Sequence, residues 1–349
     1  MTTLDTPRRI LVTGGAGFIG CNLVDDLVGH GHHVAVFDNL SRRGTPQNLA
    51  WLRERHGRAF EFIEGDIRGS EAINQAMASI EVVYHLAGQT AVTTSVTKPR
   101  EDFEANALGT FNVLEAARLY GDDPIVVFSS TNKVYGGMED VAVVELPTRY
   151  TYRDLPGGAT EQQPLDFHSP YGCSKGSADQ YVRDYHRIYG LPTVVFRQSC
   201  IYGPRQMGVE DQGWVAWFII ATTLGRPITI YGDGKQVRDL LYIDDLIAAY
   251  KMAVDKIDTT AGQVYNIGGG AERTMSVWAE FRPILGRALG QPIADAPHAE
   301  WRPGDQPVFF CDISRARHDF GWQPQVGVEE GITRLADWVR QNRTLFEDA

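Results

Sequence analysis

Tyr171 and Lys175 stand four residues apart in Ser169-Pro170-Tyr171-Gly172-Cys173-Ser174-Lys175. On a helix that spacing puts both side chains on one face. A free tyrosine ionises near pH ~10 and is a poor base at neutrality. An ammonium beside it stabilises the phenolate, lowers that value and makes the pair a proton shuttle. Phe128-Ser129-Ser130-Thr131 closes an apolar run with hydroxyls. Thr131, Tyr171 and Lys175 are therefore the candidate catalytic set, converging on one carbinol carbon.

A second group of residues is suited to phosphates. Ile10-Leu11-Val12-Thr13-Gly14-Gly15-Ala16-Gly17-Phe18-Ile19-Gly20 reads as strand, glycine turn and helix start. Gly14, Gly17 and Gly20 permit the tight turn, the close approach of backbone to a pyrophosphate, and close helix-on-strand contact. Free N–H groups at the helix start then face the anion. The next apolar run ends in Asp38, eighteen residues beyond Gly20. A carboxylate there binds ribose hydroxyls and disfavours a further phosphate, which selects NAD over NADP. Arg42 and Arg43 lie close by and could bind that phosphate, which keeps NADP as the alternative.

The elements that must position these residues follow from periodicity. Strand-length runs at Ile10–Val12, His33–Phe37, Phe60–Ile63, Val82–Leu86, Ile125–Ser129 and Thr193–Phe196 alternate with helical patterns. That alternation predicts an α/β fold, a doubly wound parallel sheet of Rossmann type, covered on both faces. Helices are expected from Gly17 to about His30, from Ala107 to Leu119, and from Pro170 to Ile188. Ser169 as N-cap and Pro170 at the first helical position fix the start of the last. After Ile201 the alternation fades, with short runs at Pro227–Tyr231 and Val264–Ile267. We expect a dinucleotide-binding domain with the catalytic residues over 1–200 and a smaller C-terminal α/β substrate lobe over 201–349, partly interleaved, with the segment near 237–267 returning to the first. Between Gly136 and Leu165 periodicity is lost among glycines and prolines. A loop of that length is either a lid beside the site or a surface excursion.

Composition bounds the partners. The formal net charge of −11 repels nucleic acid and anionic membranes, so an anionic ligand must be held by local cations. The longest apolar stretch, Trp214 to Leu224, is roughly half of the ~20 residues a bilayer span needs. A first strand beginning by Arg9 leaves no room for a secretory signal, so the expected location is cytoplasmic. Cys21, Cys173, Cys200 and Cys311 form no CxxC pair and read as reduced thiols, with no metal site signalled. Trp214, Trp217 and Phe218 either stack near a base or belong to the core, the commoner fate of aromatics at helical spacing.

The glycine turn at 14–20, Gly65-Asp66-Ile67, His85-Leu86-Ala87-Gly88, Val134-Tyr135-Gly136, Tyr171 to Lys175, and Tyr202-Gly203-Pro204 occur in an order that resembles the extended short-chain dehydrogenase/reductases, the NAD-dependent epimerase/dehydratases. The resemblance covers essentially the whole chain. It implies that Asp66 and Ile67 contact adenine and that Leu86, Ala87, Gly88 and Gln89 line the dinucleotide, with Phe18, Ile19, Asn39, Ser129, Tyr171 and Lys175 completing the cofactor site. Arg238, in Tyr231-Gly232-Asp233-Gly234-Lys235-Gln236-Val237-Arg238, and Arg302, in Trp301-Arg302-Pro303-Gly304-Asp305, are similar to the family's pyrophosphate-binding arginines. Gln89, Thr94, Thr131, Asn132, Arg205 and Asp305 are the further substrate candidates, with Gln206 beside Arg205. Cys200 departs from the family pattern, where an asparagine is common, and a thiol is the weaker donor.

Ala87-Gly88-Gln89, Thr93-Thr94-Ser95, Ser129 to Gly136, Leu165 to Gly176 and Asp211-Gln212-Gly213-Trp214-Val215 are similar to a branch that inverts carbon 2 of a CDP-hexose through a transient ketone. The implied ligand is a CDP-sugar or another nucleoside diphosphate sugar, and the alternative is a 4-epimerase of the UDP-galactose type. Dehydrating relatives carry Asp-Glu after the catalytic threonine, where this chain has Asn132-Lys133. The presence of Thr131, Tyr171 and Lys175 argues against a non-catalytic NAD sensor. Family likeness also implies a homodimer or homotetramer paired through the helices at 107–119 and 170–188.

Overall fold

The computed structural model describes residues 6–302 and 305–347. Seven strands run parallel in one sheet: β1 (Arg9–Thr13), β2 (His33–Asp38), β3 (Phe60–Glu64), β4 (Val82–His85), β5 (Ile125–Thr131), β6 (Thr193–Gln198) and β7 (Gln263–Ile267). Their order across the sheet is β7-β6-β5-β4-β1-β2-β3. The order reverses between β1 and β4, and the crevice at such a switch point, beyond the carboxyl ends of the strands, is where ligands bind in this architecture.

Alternation along each strand feeds two cores. Ile10, Val12, Val34 and Val36 face one side, while Leu11, Ala35, Phe37 and Val83 face the other. Burial on both faces explains why these runs read as continuous apolar segments. Helix α1 (Phe18–Gly29) covers the first side, and α2 (Gly109–Tyr120) and α3 (Ser169–Tyr189) cover the second. The helix expected from Ala107 starts earlier. A turn at Pro99–Phe103 leads through a wider π-helical turn, Glu104–Leu108, into α2. Pro99 supplies a backbone angle ready for a first helical turn, and π turns recur at functional sites.

Helix α3 starts where its cap requires. The Oγ of Ser169 accepts the N–H of Gly172 at 3.2 Å, Pro170 occupies the first turn, and Gly190 in the left-handed region ends the helix. Its middle is fixed by a water-excluded ion pair. Arg197 of β6 meets Asp179 of α3 at 2.9 Å, with side-chain exposures of 2% and 0%. Asp179 also accepts from Ser130 of β5 at 2.8 Å. The network continues from Arg197 to the Tyr135 hydroxyl at 3.2 Å, and from that hydroxyl to Asn266 of β7 at 2.7 Å.

Beyond β6 the chain builds a smaller lobe and then comes back. Val237–Tyr242 pairs with Cys200–Tyr202, Thr274–Ser276 and Val308–Phe309. Helix α4 (Ile243–Asp255) returns to lie against α1, where Lys251 meets Asp26 at 2.8 Å, and β7 follows it into the main sheet. Of the segment near 237–267, the part from Ile243 onward thus lies with the sheet, while Val237–Tyr242 stays in the lobe. Phe218 is buried against Trp214, Trp278 and Phe281, so these aromatics form the core of the lobe.

The segment 136–165 is neither free nor irregular throughout. It folds as a hairpin, Val143–Glu145 with Tyr150–Tyr152, tied to the lobe through Arg149–Glu280 at 2.6 Å, Lys235–Glu145 at 2.7 Å and the Tyr150 hydroxyl on Asp233 at 2.6 Å. Among the described residues, no helix is long and apolar enough to cross a membrane and no group of His, Cys, Asp and Glu could hold a metal ion.

Removing one member of a buried pair strands the other charge without water. Asp179→Ala is therefore expected to lower unfolding free energy by about 3–5 kcal/mol, measured by urea denaturation. A loss under about 1 kcal/mol, the scale of an exposed pair, would contradict this account.

Candidate active site

Thr131 ends β5 and Tyr171 lies in the first turn of α3, so the two meet where sheet and helix converge. The Tyr171 hydroxyl is hydrogen-bonded to Thr131, and its backbone N–H donates to Ser95 Oγ at 3.1 Å. Burial raises the Tyr171 pKa above its ordinary value; Thr131 and the Arg42 guanidinium act against that, and Asp102 adds to it. One turn along, Lys175 donates to the Ser129 carbonyl at 2.5 Å and its ammonium lies 4.2 Å from the centre of the Phe128 ring. Burial brings Lys175 down to about 7, opposed by Asp179 and Asp102. Of the three sequence-derived candidates, Thr131 and Tyr171 are thus hydrogen-bonded to one another, with Lys175 one helical turn further on.

Asp102, Asn106 and Ser174 were not anticipated. Asp102 is 1% exposed and accepts from Ser174 Oγ at 2.5 Å and Asn106 Nδ2 at 3.1 Å. The Asn106 amide oxygen takes the Gln89 N–H at 2.9 Å, so the network joins the loop after β4 to α3. In sequence Asp102 sits among Lys98, Arg100, Glu101 and Glu104, a run that reads as a solvated face. The π turn carries Asn106 inward.

The glycine turn has little free volume. Gly14 has φ +70°, and a Cβ there would lie 2.7 Å from the Ala87 nitrogen; one on Gly20 would lie 2.2 Å from the Gly14 carbonyl. Such contacts are impossible for any other residue without moving backbone. Beneath the turn, Thr13 Oγ1 is 2.7 Å from His85 Nδ1, and burial takes His85 down to about 3, leaving it neutral. Asp38 accepts the N–H groups of Ala16 at 3.0 Å and Leu40 at 2.8 Å, and burial raises its pKa.

Asn39 donates to Asp66 at 2.9 Å, and Asp66, clamped by Arg68, is held down at about 2. Ile67 is buried, its carbonyl accepting from Asn112 at 2.8 Å. These are the residues that the sequence proposed for a dinucleotide: the α1 start beside Phe18 and Ile19, a carboxylate at the end of β2, and the Leu86–Gln89 loop after β4. Arg42 turns inward, hydrogen-bonded to Thr90 and within electrostatic reach of Tyr171. That position weakens it as a partner for an extra ribose phosphate.

Cations face the crevice from the lobe. Arg238, 7% exposed, holds Asp305 at 2.5 Å. Arg302 contacts Asp211 at 3.2 Å and the Glu210 carbonyl at 3.1 Å, with its guanidinium 4.0 Å from the centre of the Tyr231 ring. Asn132 accepts from Thr131 at 3.3 Å. Gln89 is folded onto its own loop through Ala91, and Thr94 is exposed.

Arg205 is a departure from expectation. Its guanidinium lies 3.9 Å from the Trp51 ring centre and 5.6 Å from that of Trp338, and the groups that shift its pKa are Cys21, Asp25, Arg55 and Glu54 on α1 and the helix Thr45–His56. A cation between two indoles is held there by ring electrostatics.

The sequence profile of the GDP-mannose 4,6-dehydratase family matches residues 11–335. CDP-paratose 2-epimerase from Salmonella typhi is 43% identical over 339 residues, 95% of this chain and 99% of that protein. Among solved structures, UDP-glucose 4-epimerase from Thermotoga maritima, with UDP-glucose, superimposes with a TM-score of 0.81 at 34% identity, covering 96% of this chain and 99% of that one. A dTDP-glucose 4,6-dehydratase from Streptomyces venezuelae, with NAD bound, gives 0.83 at 30% identity, covering 97% and 99%.

The glycine contacts make a direct test. Gly20→Ala should keep the far-UV circular dichroism of the folded chain while weakening NAD binding by about tenfold or more in a fluorescence titration. Unchanged affinity would mean that the turn does not carry the pyrophosphate.

Proposed function

The chain belongs to the GDP-mannose 4,6-dehydratase family of extended short-chain dehydrogenases, and from that premise we propose that it is an NAD-dependent epimerase of nucleoside diphosphate sugars. The observation that carries the reading is the convergence of Thr131, Tyr171 and Lys175 beside a glycine turn that admits a dinucleotide, with Asn132-Lys133 where a dehydratase needs an acid and a base. The cradle residues fit NAD: Gly14, Gly17 and Gly20 leave room for the pyrophosphate, and Asp38 faces where ribose hydroxyls lie.

When bound, NAD supplies the acceptor for a hydride from the carbinol carbon and returns that hydride to its other face. Tyr171 takes the hydroxyl proton of the same carbon and later restores it, since one phenol can serve as base and then as acid. Its burial makes the phenolate costly, so the groups that act against burial, the Thr131 hydroxyl and then the Arg42 guanidinium, set whether it forms at neutral pH. Thr131 Oγ1 orients the reacting oxygen. The Asp102–Ser174–Asn106 network holds α3 in place against the loop after β4 while the sugar turns.

The assigned carbon is number 2 and the assigned nucleotide CDP, as in CDP-paratose to CDP-tyvelose or CDP-glucose to CDP-mannose. The similarity to CDP-paratose 2-epimerase supports this. Arg238 and Arg302 bind the diphosphate, exchanging Asp305 and Asp211 for phosphate oxygens, which suit a guanidinium fork. Phe103, Phe111, Leu119, Tyr181, Ile188 and Tyr189 are exposed apolar residues along α2, α3 and the turn before α2. A second copy of the chain covers them by pairing these helices.

Tyr171→Phe is expected to lower turnover by about 10³-fold, within the range of general acid–base catalysis, with NAD binding retained. A variant keeping more than about a tenth of the rate would exclude the phenol as base. For the carbon, the enzyme is incubated with CDP-glucose and with UDP-glucose and the product sugar identified by NMR. Mannose supports the 2-epimerase, and galactose would replace it with a 4-epimerase.

A further inference from the structure

We propose that Lys133 is the cation that grips the sugar-side phosphate of the substrate, next to the catalytic threonine, and so brings carbon 2 of the hexose to Tyr171; this rests on the epimerase reading above. Lys133 lies in the single helical turn Asn132–Tyr135 that follows β5. Its backbone N–H donates to Thr131 Oγ1 at 3.2 Å, so its main chain is fixed to the catalytic hydroxyl. Its side chain runs toward the lobe, where Nζ is 3.4 Å from Gln306 Oε1. Gln306 is 1% exposed and its own amide nitrogen is bound to the Gly136 carbonyl at 2.5 Å, which leaves the oxygen aimed at the ammonium.

The charged and titratable groups that act on this ammonium are Arg238, Asp305 and Cys200. Asp305 is already engaged by Arg238 at 2.5 Å. Two cations therefore share one carboxylate, and among the described residues Lys133 is left with a single long contact to a neutral amide. Burial, and then Arg238, bring its pKa down to about 8, against the pull of Asp305 and Cys200. A half-buried ammonium with so little compensation is costly in the free protein. A phosphate between Lys133 and Arg238 removes that cost by supplying both charge and acceptors.

The position of this cation decides the pose. In a hexosyl nucleotide, carbon 2 is bonded to the anomeric carbon that carries the phosphate, whereas carbon 4 lies across the ring. A phosphate anchored two residues from Thr131 leaves carbon 2 as the one that can face the Thr131 and Tyr171 hydroxyls. Arg238 and Arg302, further into the lobe, then hold the rest of the diphosphate.

The test uses NAD-loaded enzyme and isothermal titration with a nucleoside monophosphate, its diphosphate and its hexose diphosphate, in the cytidine and uridine series. The monophosphate lacks the sugar-side phosphate. Lys133→Met is expected to weaken the diphosphate and the sugar nucleotide by about 30-fold, the scale of a lost charge-assisted hydrogen bond, and to leave the monophosphate unchanged. Wild-type affinity for the diphosphate should fall as pH rises from 7 to 10 and the free-enzyme ammonium loses its proton, while Lys133→Arg, which stays charged, should hold its affinity over that range. Equal weakening of all three ligands by Lys133→Met, or a wild-type affinity that ignores pH, would overturn the proposal. Galactose as the wild-type product sinks the carbon-2 reading instead, whatever the titrations give.

Discussion

A carboxylate and a guanidinium with no access to water must lie where their partners are, and in this chain that demand falls on Asp179 and Arg197. Because Asp179 belongs to α3, Arg197 to β6 and Ser130 to β5, one unsolvated contact fixes the helix against two adjacent strands. Tyr171 and Lys175 ride on that helix, and Thr131 follows Ser130 by one residue. The relative positions of the three residues proposed as catalytic are therefore set by a pair outside that set. The energetic worth of such a pair lies less in net stability than in the cost of any other arrangement.

The crevice concentrates positive charge on a molecule whose formal net charge is −11. Arg238 and Arg302 are each paired with one carboxylate, while Lys133 and Lys175 are bonded to neutral oxygens. Low-dielectric walls strengthen such local fields.

What the sequence revealed was what short-range chemistry controls. The glycine turn, Asp38 after the second run and the Tyr171–Lys175 spacing each depend on a few adjacent residues, and all six early runs became strands. Features fixed by distant contacts were harder to see. The run at Val264–Ile267 and its return to the first domain were expected, but its edge position beside Thr193–Gln198 is decided by residues some seventy positions earlier. The hairpin at Val143–Tyr152 gains its order from Glu280, Asp233 and Lys235, none of them local. Asp102 looked like surface charge because the π turn that draws its network inward leaves no mark in periodicity. The indole partners of Arg205, Trp51 and Trp338, are remote in sequence in the same way.

The late arrival of β7 has a topological consequence. Residues 243–267 return to the sheet after the lobe has begun, and the chain then leaves again for Thr274–Ser276. No single cut in the polypeptide separates a nucleotide-binding half from a sugar-binding half. Ending the chain near residue 200 would bare the β6 edge, an invitation to intermolecular pairing. The sheet region and the lobe are in this sense one folding unit, and neither can be exchanged between relatives as a module by a simple fusion.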